Sequence, residues 1–377
     1  MKKSLKILEF ILMDKLRTGG GIQVFRLAKE LRQRGHDVTV LFSENPQFRD
    51  DFNVFNGTGV DVKFMKIDKI RLNLKSIKAM LEFRRFLKSE NFDIIHCHKG
   101  KATTFAYFSL FGLDHNLISN RGVTSPIGFL RSLKYKSKKV KKIIAVSNAV
   151  KDVLVGQAGI PSEKVEVVYG SVDADEFKPG LISRLREEFK IGNENKIIGF
   201  VGNAGERKGL PYLLSAFKIL LNSTNKIVLV LVGIEKEDLE KYHLPPQITS
   251  RIVTTGFWKD VPNLMSGFDF FAFSGVSDEG LTGTVREAAS CGLPIVTTEV
   301  AGNSELIRHR ISGLVVPPRD PERLAEALAY LINNTEKGKV FGMKAREYVL
   351  RKMTDQSRTK RIERIYYQVI KDSEKIK

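Results

Sequence analysis

The segment Asp278-Glu-Gly-Leu-Thr-Gly-Thr-Val-Arg-Glu-Ala-Ala-Ser-Cys-Gly-Leu-Pro294 decides how this chain is read. Two carboxylates, Glu279 and Glu287, lie eight residues apart around a turn rich in Gly and Thr. Thr284 followed three residues later by Glu287 has capping-box spacing and predicts a helix start there. Unpaired backbone N–H groups at such a start favour an anion. One carboxylate in the loop, one in the first helical turns and amides between them suit a polyhydroxylated, phosphate-bearing ligand. The plainer reading of the same spacing is a helix capped by Glu287 beside a solvated loop charge at Glu279.

Outward from this segment, strand and helix patterns alternate along the whole chain, the signature of α/β layers with parallel sheets. The first half predicts a strand over 6–13, a loop ending in Gly19-Gly20-Gly21, and a helix from Ile22 to Arg34 with Val24, Leu27, Ala28 and Leu31 on one face. The second half restarts near Lys196 with a strand, the loop Gly202-Asn-Ala-Gly-Glu-Arg-Lys-Gly209 and a helix from Pro211. Pro179-Gly180 is the expected hinge. The expected domains are 1–180, 181–355 and a C-terminal helix within 356–377.

The 377 residues are 42% hydrophobic, enough for real cores. No apolar run approaches the length of ~20 residues that spans a bilayer. Glu9 interrupts the apolar start, which therefore reads as a first buried strand rather than a leader. Cys97 and Cys291 make no disulfide framework, so a reducing cytosol is the default. The net charge of +19 is concentrated: residues 61–150 hold 19 Lys and Arg against 6 Asp and Glu. Residues 131–142 hold seven basic residues and no acid, beside Ile127, Phe129, Leu130 and Leu133. Residues 69–88 repeat the theme with Leu72, Leu74, Ile77, Met80, Leu81 and Phe83. Such segments suit an anionic membrane surface. A solvated helix face is the plain alternative.

The glycine loops hold no complete nucleotide fingerprint. From Gly19 the third dinucleotide glycine falls at Val24, which disfavours a nicotinamide enzyme, and no Gly-Lys-Ser/Thr closes the loop at 202–209. In Asp93-Ile-Ile-His-Cys-His-Lys-Gly100 a strand ends on polar groups, where open α/β sheets bind ligands. His96 and His98 are ligand types for a metal, but no third ligand is near in sequence. Asp173-Ala-Asp175 has the look of a metal pair.

The stretch 278–294, continued by Ile295-Val-Thr-Thr298, Ala301-Gly-Asn-Ser-Glu-Leu-Ile307 and Ser312-Gly-Leu-Val-Val-Pro317, resembles retaining glycosyltransferases of family 4. That resemblance implies a GT-B fold, two Rossmann-like domains facing a deep cleft, with the acceptor on the first and a nucleotide-diphosphate sugar on the second. It also implies that the C-terminal helix crosses back to the first domain, and that Asp173-Ala-Asp175 is a turn instead of a metal pair. It implies that Glu279 contacts the donor sugar and Glu287 the ribose, with Gly280, Leu281, Thr282 and Gly283 between them. It places Gly20 and Gly21 near the donor phosphate and His98 at the transferred sugar, with His96 structural and Arg121 a weaker acceptor contact. Lys208 matches the family's phosphate lysine. Asn203 stands where the family has arginine, and Arg207 is the candidate substitute. Catalysis is thus expected from His98, Glu279 and Lys208 without a metal or cofactor. The implied activity moves a sugar to a glycolipid or lipopolysaccharide-type acceptor in envelope glycan synthesis, by a cytoplasmic enzyme peripheral on the inner face of the membrane. No nucleic-acid partner is expected. A GT-B sugar-nucleotide epimerase and a non-catalytic binder of anionic membranes are the alternatives.

Overall fold

The computed structural model describes residues 3–13, 15, 16, 18–67, 73–277, 279–300 and 302–375. Asp278, Ala301 and Leu72, used above, lie outside the described residues. The chain divides into two compact units, Met1–Gly170 with Asp355–Lys377, and Ser171–Thr354.

The first unit is built on β1 (Lys6–Ile11), β2 (Asp37–Ser43), β3 (Asp61–Met65), β4 (Ile94–His98), β5 (Leu117–Arg121), β6 (Val140–Ala145) and β7 (Val165–Val167). All pair parallel, in the order β3-β2-β1-β4-β5-β6-β7. The second holds β8 (Lys196–Val201), β9 (Ile227–Val232), β10 (Ile252–Gly256), β11 (Phe270–Phe273), β12 (Ile295–Thr298) and β13 (Leu314–Val316), parallel in the order β10-β9-β8-β11-β12-β13. Every residue of β9 is buried, as a parallel strand covered on both faces requires. In each sheet the order reverses beside the first strand, at β1/β4 and at β8/β11. Ligands of open parallel sheets bind outside the strand ends at such a reversal.

Residue parity on β1 sorts the first unit into two cores. Leu8 and Phe10 pack with Phe83, Phe105 and Tyr135, whereas Leu5, Ile7 and Ile11 pack with Val24, Leu27 and Leu31. The latter three belong to α1 (Gly19–Gln33). That second core is completed by Ile362, Ile365, Tyr366 and Val369 of the C-terminal helix Asp355–Glu374. Glu363 of this helix pairs with Arg34 at 2.8 Å and lies 3.1 Å from His36 Nε2, while Arg358 Nη1 donates to Gln23 O at 2.8 Å.

Several local expectations change. Gly19, Gly20 and Gly21 form the first turn of α1 rather than a loop before it, because Thr18 Oγ1 accepts from Gly21 N at 3.2 Å and caps the helix earlier. Only glycine fits at position 21, where a Cβ meets Leu16 O at 2.2 Å. The division between units falls before Pro179-Gly180: Ser171 O accepts from Arg286 Nε at 3.0 Å, and Phe177 O from Ser290 Oγ at 2.6 Å, within the second unit. After α2 (Leu74–Glu90) and α3 (Lys99–Ser109), the basic stretch 131–142 is not one element. It ends α4 (Phe129–Lys136) and begins β6, where Lys141 and Lys142 pair with Asp114 at 3.5 Å and Glu166 at 3.7 Å.

A chain ending at Thr354 uncovers Ile362's, Ile365's, Tyr366's and Val369's share of the core. Burial of such side chains is worth roughly 1.5–3 kcal/mol each against a whole-domain stability of about 5–15 kcal/mol. The first unit of this truncation is expected to lose cooperative unfolding and become protease-sensitive, while fragments of the second persist. Limited proteolysis followed by mass spectrometry checks this, and a wild-type cleavage pattern contradicts it.

Candidate active site

In the second unit the strand reversal at β8/β11 gathers the residues singled out from the sequence. The loop after β8 folds into a tight turn at Glu206–Lys208 and reaches Gly209 at φ +68°, where a Cβ would lie 1.8 Å from Ser274 O. Ser274 Oγ donates to Lys208 O at 3.2 Å and Gly209 O at 2.9 Å, and Val276 N donates to Arg207 O at 3.0 Å. The loop after β8 is thereby tied to the loop after β11. Lys208 Nζ meets Glu279 Oε1 at 2.8 Å, both partly buried, and lies 5.5 Å from the Phe273 ring centroid. Arg207 is exposed beside them. Asn203, in the arginine position, uses its Oδ1 to accept from Gly205 N at 3.2 Å and so shapes its own turn.

The helix foreseen at Thr284 runs over Gly283–Ser290, with Thr282 as its N-cap residue. The capping box does not form: Thr284 Oγ1 is buried without a hydrogen-bond partner. The turn is held instead by Asn303, whose Oδ1 accepts from Thr282 N at 3.1 Å and whose Nδ2 donates to Thr297 Oγ1 at 3.1 Å, while Gly302 N donates to Gly280 O at 2.9 Å. Asn303 is a site-shaping residue that local sequence patterns missed, since its partner lies across the sheet end. Glu287 is half-buried one turn into the helix, with Oε1 3.9 Å from where a Cβ on Gly283 would stand. Glu279, Lys208, Glu287 and the amides starting at Gly283 therefore converge at one strand reversal. Asp173 Oδ1 accepts from Asp175 N and Glu176 N at 3.0 and 3.1 Å, the turn role expected for it.

In the first unit the reversal at β1/β4 carries His98 on the last residue of β4 and Gly20 in the first turn of α1. A Cβ on Gly20 would lie 2.9 Å from Lys99 Cε, so the Lys99 side chain lies against this turn. Lys99 itself is held at φ +71°. Register pairs Glu9 with His96 and Ile11 with His98, placing Glu9, His96 and His98 on one face of the sheet. Glu9 Oε2 is 2.5 Å from His98 Nε2 and 3.1 Å from His96 Nδ1. Tyr366 Oη donates to Glu9 Oε1 at 2.7 Å and lies 2.7 Å from His96 Nδ1. The third ligand type absent near the histidines in sequence is thus present in space as Glu9. Ligands about 2.05 Å from a tetrahedral zinc stand ~3.3 Å apart. Glu9 Oε2 and His96 Nδ1, at 3.1 Å, come near that spacing, but Glu9 Oε2 and His98 Nε2, at 2.5 Å, stand at hydrogen-bonding distance, so the set as arranged is hydrogen-bonded rather than spread around an ion. Arg121, at the end of β5, donates through Nη2 to Ser125 O, its Nε buried without a partner, and burial lowers its pKa.

Burial alone raises the Glu9 pKa, but the two imidazoles outweigh it and hold the carboxyl well below the usual value of 4.5. Burial, with the charge of His96, lowers His98 from 6.5 to about 4 despite Glu9. Both groups bind protons more readily unfolded than folded, so their contribution to stability is complete above the unfolded pKa values and is lost on acidification. The first unit is expected to weaken as pH falls from 6.5 towards 4 through His98, and further below 4.5 through Glu9. Urea midpoints across this range, compared with those of His98→Gln, test the first part. Equal pH slopes for the two proteins contradict it.

Residues 17–176 match the family model described as Glycosyltransferase Family 4, and residues 195–334 the one described as Glycosyl transferases group 1. The chain is 22% identical over 370 residues to N-acetyl-alpha-D-glucosaminyl L-malate synthase of Bacillus anthracis, covering 94% of this chain and 95% of that protein. It is 24% identical over 272 residues to the UDP-Gal:alpha-D-GlcNAc-diphosphoundecaprenol alpha-1,3-galactosyltransferase of Escherichia coli, covering 68% and 70%. Among solved structures, Anabaena Alr3699/HepE in complex with UDP superposes with a TM-score of 0.83 at 20% identity, covering 97% of this chain and all of that one. WaaG, a glycosyltransferase involved in lipopolysaccharide biosynthesis, superposes at 0.71 with 17% identity, covering 95% and 99%. With a Rossmann-like sheet in each unit, a family match on each, and relatives of this kind, the chain belongs to the family 4, group 1 glycosyltransferases and is a transferase of GT-B fold.

Proposed function

We propose that this enzyme transfers a sugar from a nucleotide-diphosphate donor, with retention of anomeric configuration, to a glycolipid or lipopolysaccharide-type acceptor at the inner face of the cell membrane. The observation that carries the donor half is the Lys208–Glu279 pair at 2.8 Å beside the helix start at Gly283. As the anomeric carbon bonds to the acceptor oxygen, its bond to the diphosphate breaks and negative charge grows on the leaving group. Lys208, Arg207 and the helix-start amides supply positive charge there. Glu279 accepts hydrogen bonds from sugar hydroxyls and steers Lys208, and Glu287 accepts them from the ribose. Gly20 and Gly21 let the first turn of α1 approach the donor phosphate, and His98 contacts the sugar. Because the HepE structures hold UDP and UDP-glucose, uridine nucleotides are the first donors to test.

Glu279→Gln is expected to lower turnover about ten- to hundredfold, the worth of a charged hydrogen bond, and Glu287→Ala mainly to raise the nucleotide-sugar KM. Lys208→Ala should cost more activity than excess chelator, which should cost little. Activity abolished by chelator and restored by manganese refutes the metal-free reading, and wild-type rates in both glutamate variants refute the site.

The acceptor half rests on the surface of α4. Among the described residues no helix is long and apolar enough to cross a membrane. Phe129 and Leu130 are 72% and 80% exposed, and Leu133 is exposed beside them. Lys136 lies 5.8 Å from the Phe129 ring, and Lys139 4.5 Å from that of Phe111, itself exposed. Apolar side chains flanked by lysines suit an anionic lipid surface, where each cation near the head groups adds about 1 kcal/mol. Neutralising Lys136, Lys138 and Lys139 is expected to reduce co-sedimentation with anionic liposomes at low salt, as added salt does. Equal recovery with neutral and anionic liposomes argues for a soluble acceptor.

A further inference from the structure

The protons around Glu9 can be assigned one by one. Tyr366 has a single hydroxyl proton, and it is donated to Glu9 Oε1 at 2.7 Å. His96 Nδ1, 2.7 Å from the same hydroxyl oxygen, must therefore carry a proton itself and donate it, sharing it with Glu9 Oε2 at 3.1 Å. An ionised carboxylate only accepts, so His98 Nε2, 2.5 Å from Oε2, also carries a proton. Three donors from β4 and the C-terminal helix thus close on one carboxylate from β1, all of them buried. A neutral His98 protonated on Nε2 has a bare lone pair on Nδ1.

We infer that Glu9 is a positioning residue: it fixes His98 as the Nε2–H tautomer, so that Nδ1 accepts a hydrogen bond from a hydroxyl of the transferred sugar, and Tyr366 fixes Glu9. This rests on the reading of His98 as a sugar contact. A metal ion is not needed to explain the cluster, and the second histidine acts as a brace, donating to both the carboxylate and the phenol. His98 keeps only 4% of its surface open, so the ring has little freedom to present any other edge. Glu9 acts through His98 and touches no substrate, which separates it from the glutamates of the second unit.

Two measurements test this. Long-range 1H–15N spectra of the wild-type imidazoles report the tautomer directly, need no variant, and do not depend on activity. Nε2 protonated and Nδ1 bare on His98 is expected, and the Nδ1–H form overturns the inference. The second is a kinetic cycle of Glu9→Gln, His98→Ala and the double variant. Glu9→Gln should lower kcat on the order of tenfold with little change in the donor KM, and should have no further effect once His98 is alanine. Additive losses overturn the inference by giving Glu9 a purely structural role. A wild-type enzyme that transfers no sugar from any nucleotide donor refutes the proposed function, yet leaves the tautomer result standing or falling by itself.

Discussion

A parallel strand buried on both faces has no flank from which to meet a ligand, and this constraint organises each unit. Chemistry is displaced to the carboxyl ends of strands, and most of all to the gap where strand order reverses. β4 ends in His98 and β1 leads to Gly20; β8 leads to Lys208 and β11 to Glu279. The same constraint makes any polar group inside the sheet answerable for its own hydrogen bonds. Glu9 is the severe case, a carboxylate with no exposed surface on a strand flanked by others on both sides. It is tolerable only because three donors arrive from elsewhere in the chain.

The order of elements is legible in the sequence because buried parallel strands read as unbroken apolar runs, as at Ile227–Val232. β13 is only three residues long, too short to form such a run, and enters above as part of a motif rather than as a strand. Residue types in the loop before Gly283 were legible as well, but their local geometry was not. The Thr284–Glu287 spacing satisfies the capping pattern, yet the helix begins two residues earlier because Asn303, from beyond β12, holds the Thr282 amide. Nothing local encodes that bond. Glu9 left a visible trace, a charge inside an apolar strand. Its partners were hidden because β4 lies far along the chain and Tyr366 near its end. Short-range patterns register a residue that needs a partner; only the fold says which residue answers.

Charge shows a similar division. The lysine-rich stretch from 131 to 142 looks uniform in sequence, but its members serve different ends. Lys141 and Lys142 are paired with carboxylates beside β6. The carbonyls ending α4 are capped by Lys164, whose Nζ donates to Tyr135 O, Lys136 O and Ser137 O at 3.2, 3.2 and 2.7 Å. The end of a helix is the favourable place for such a cation. Arg131 and Lys138 stay exposed to solvent, and Lys136 and Lys139 lie against aromatic rings. Net charge therefore overstates how many of these cations are free of internal partners.

The C-terminal helix gives the first unit a history as well as a shape. A ribosome delivers β1, α1 and β4 early, yet the strip that covers Ile7 and Ile11, and the phenol that engages Glu9, arrive only after the whole second unit has been made. At ~5–20 residues per second that delay is roughly 10–40 s, during which a charged carboxylate and an apolar sheet face stand uncovered. The first unit is thus the first to emerge and the last to be finished. The nascent chain must hold that sheet face apart from other hydrophobic surfaces until its own last helix closes over it.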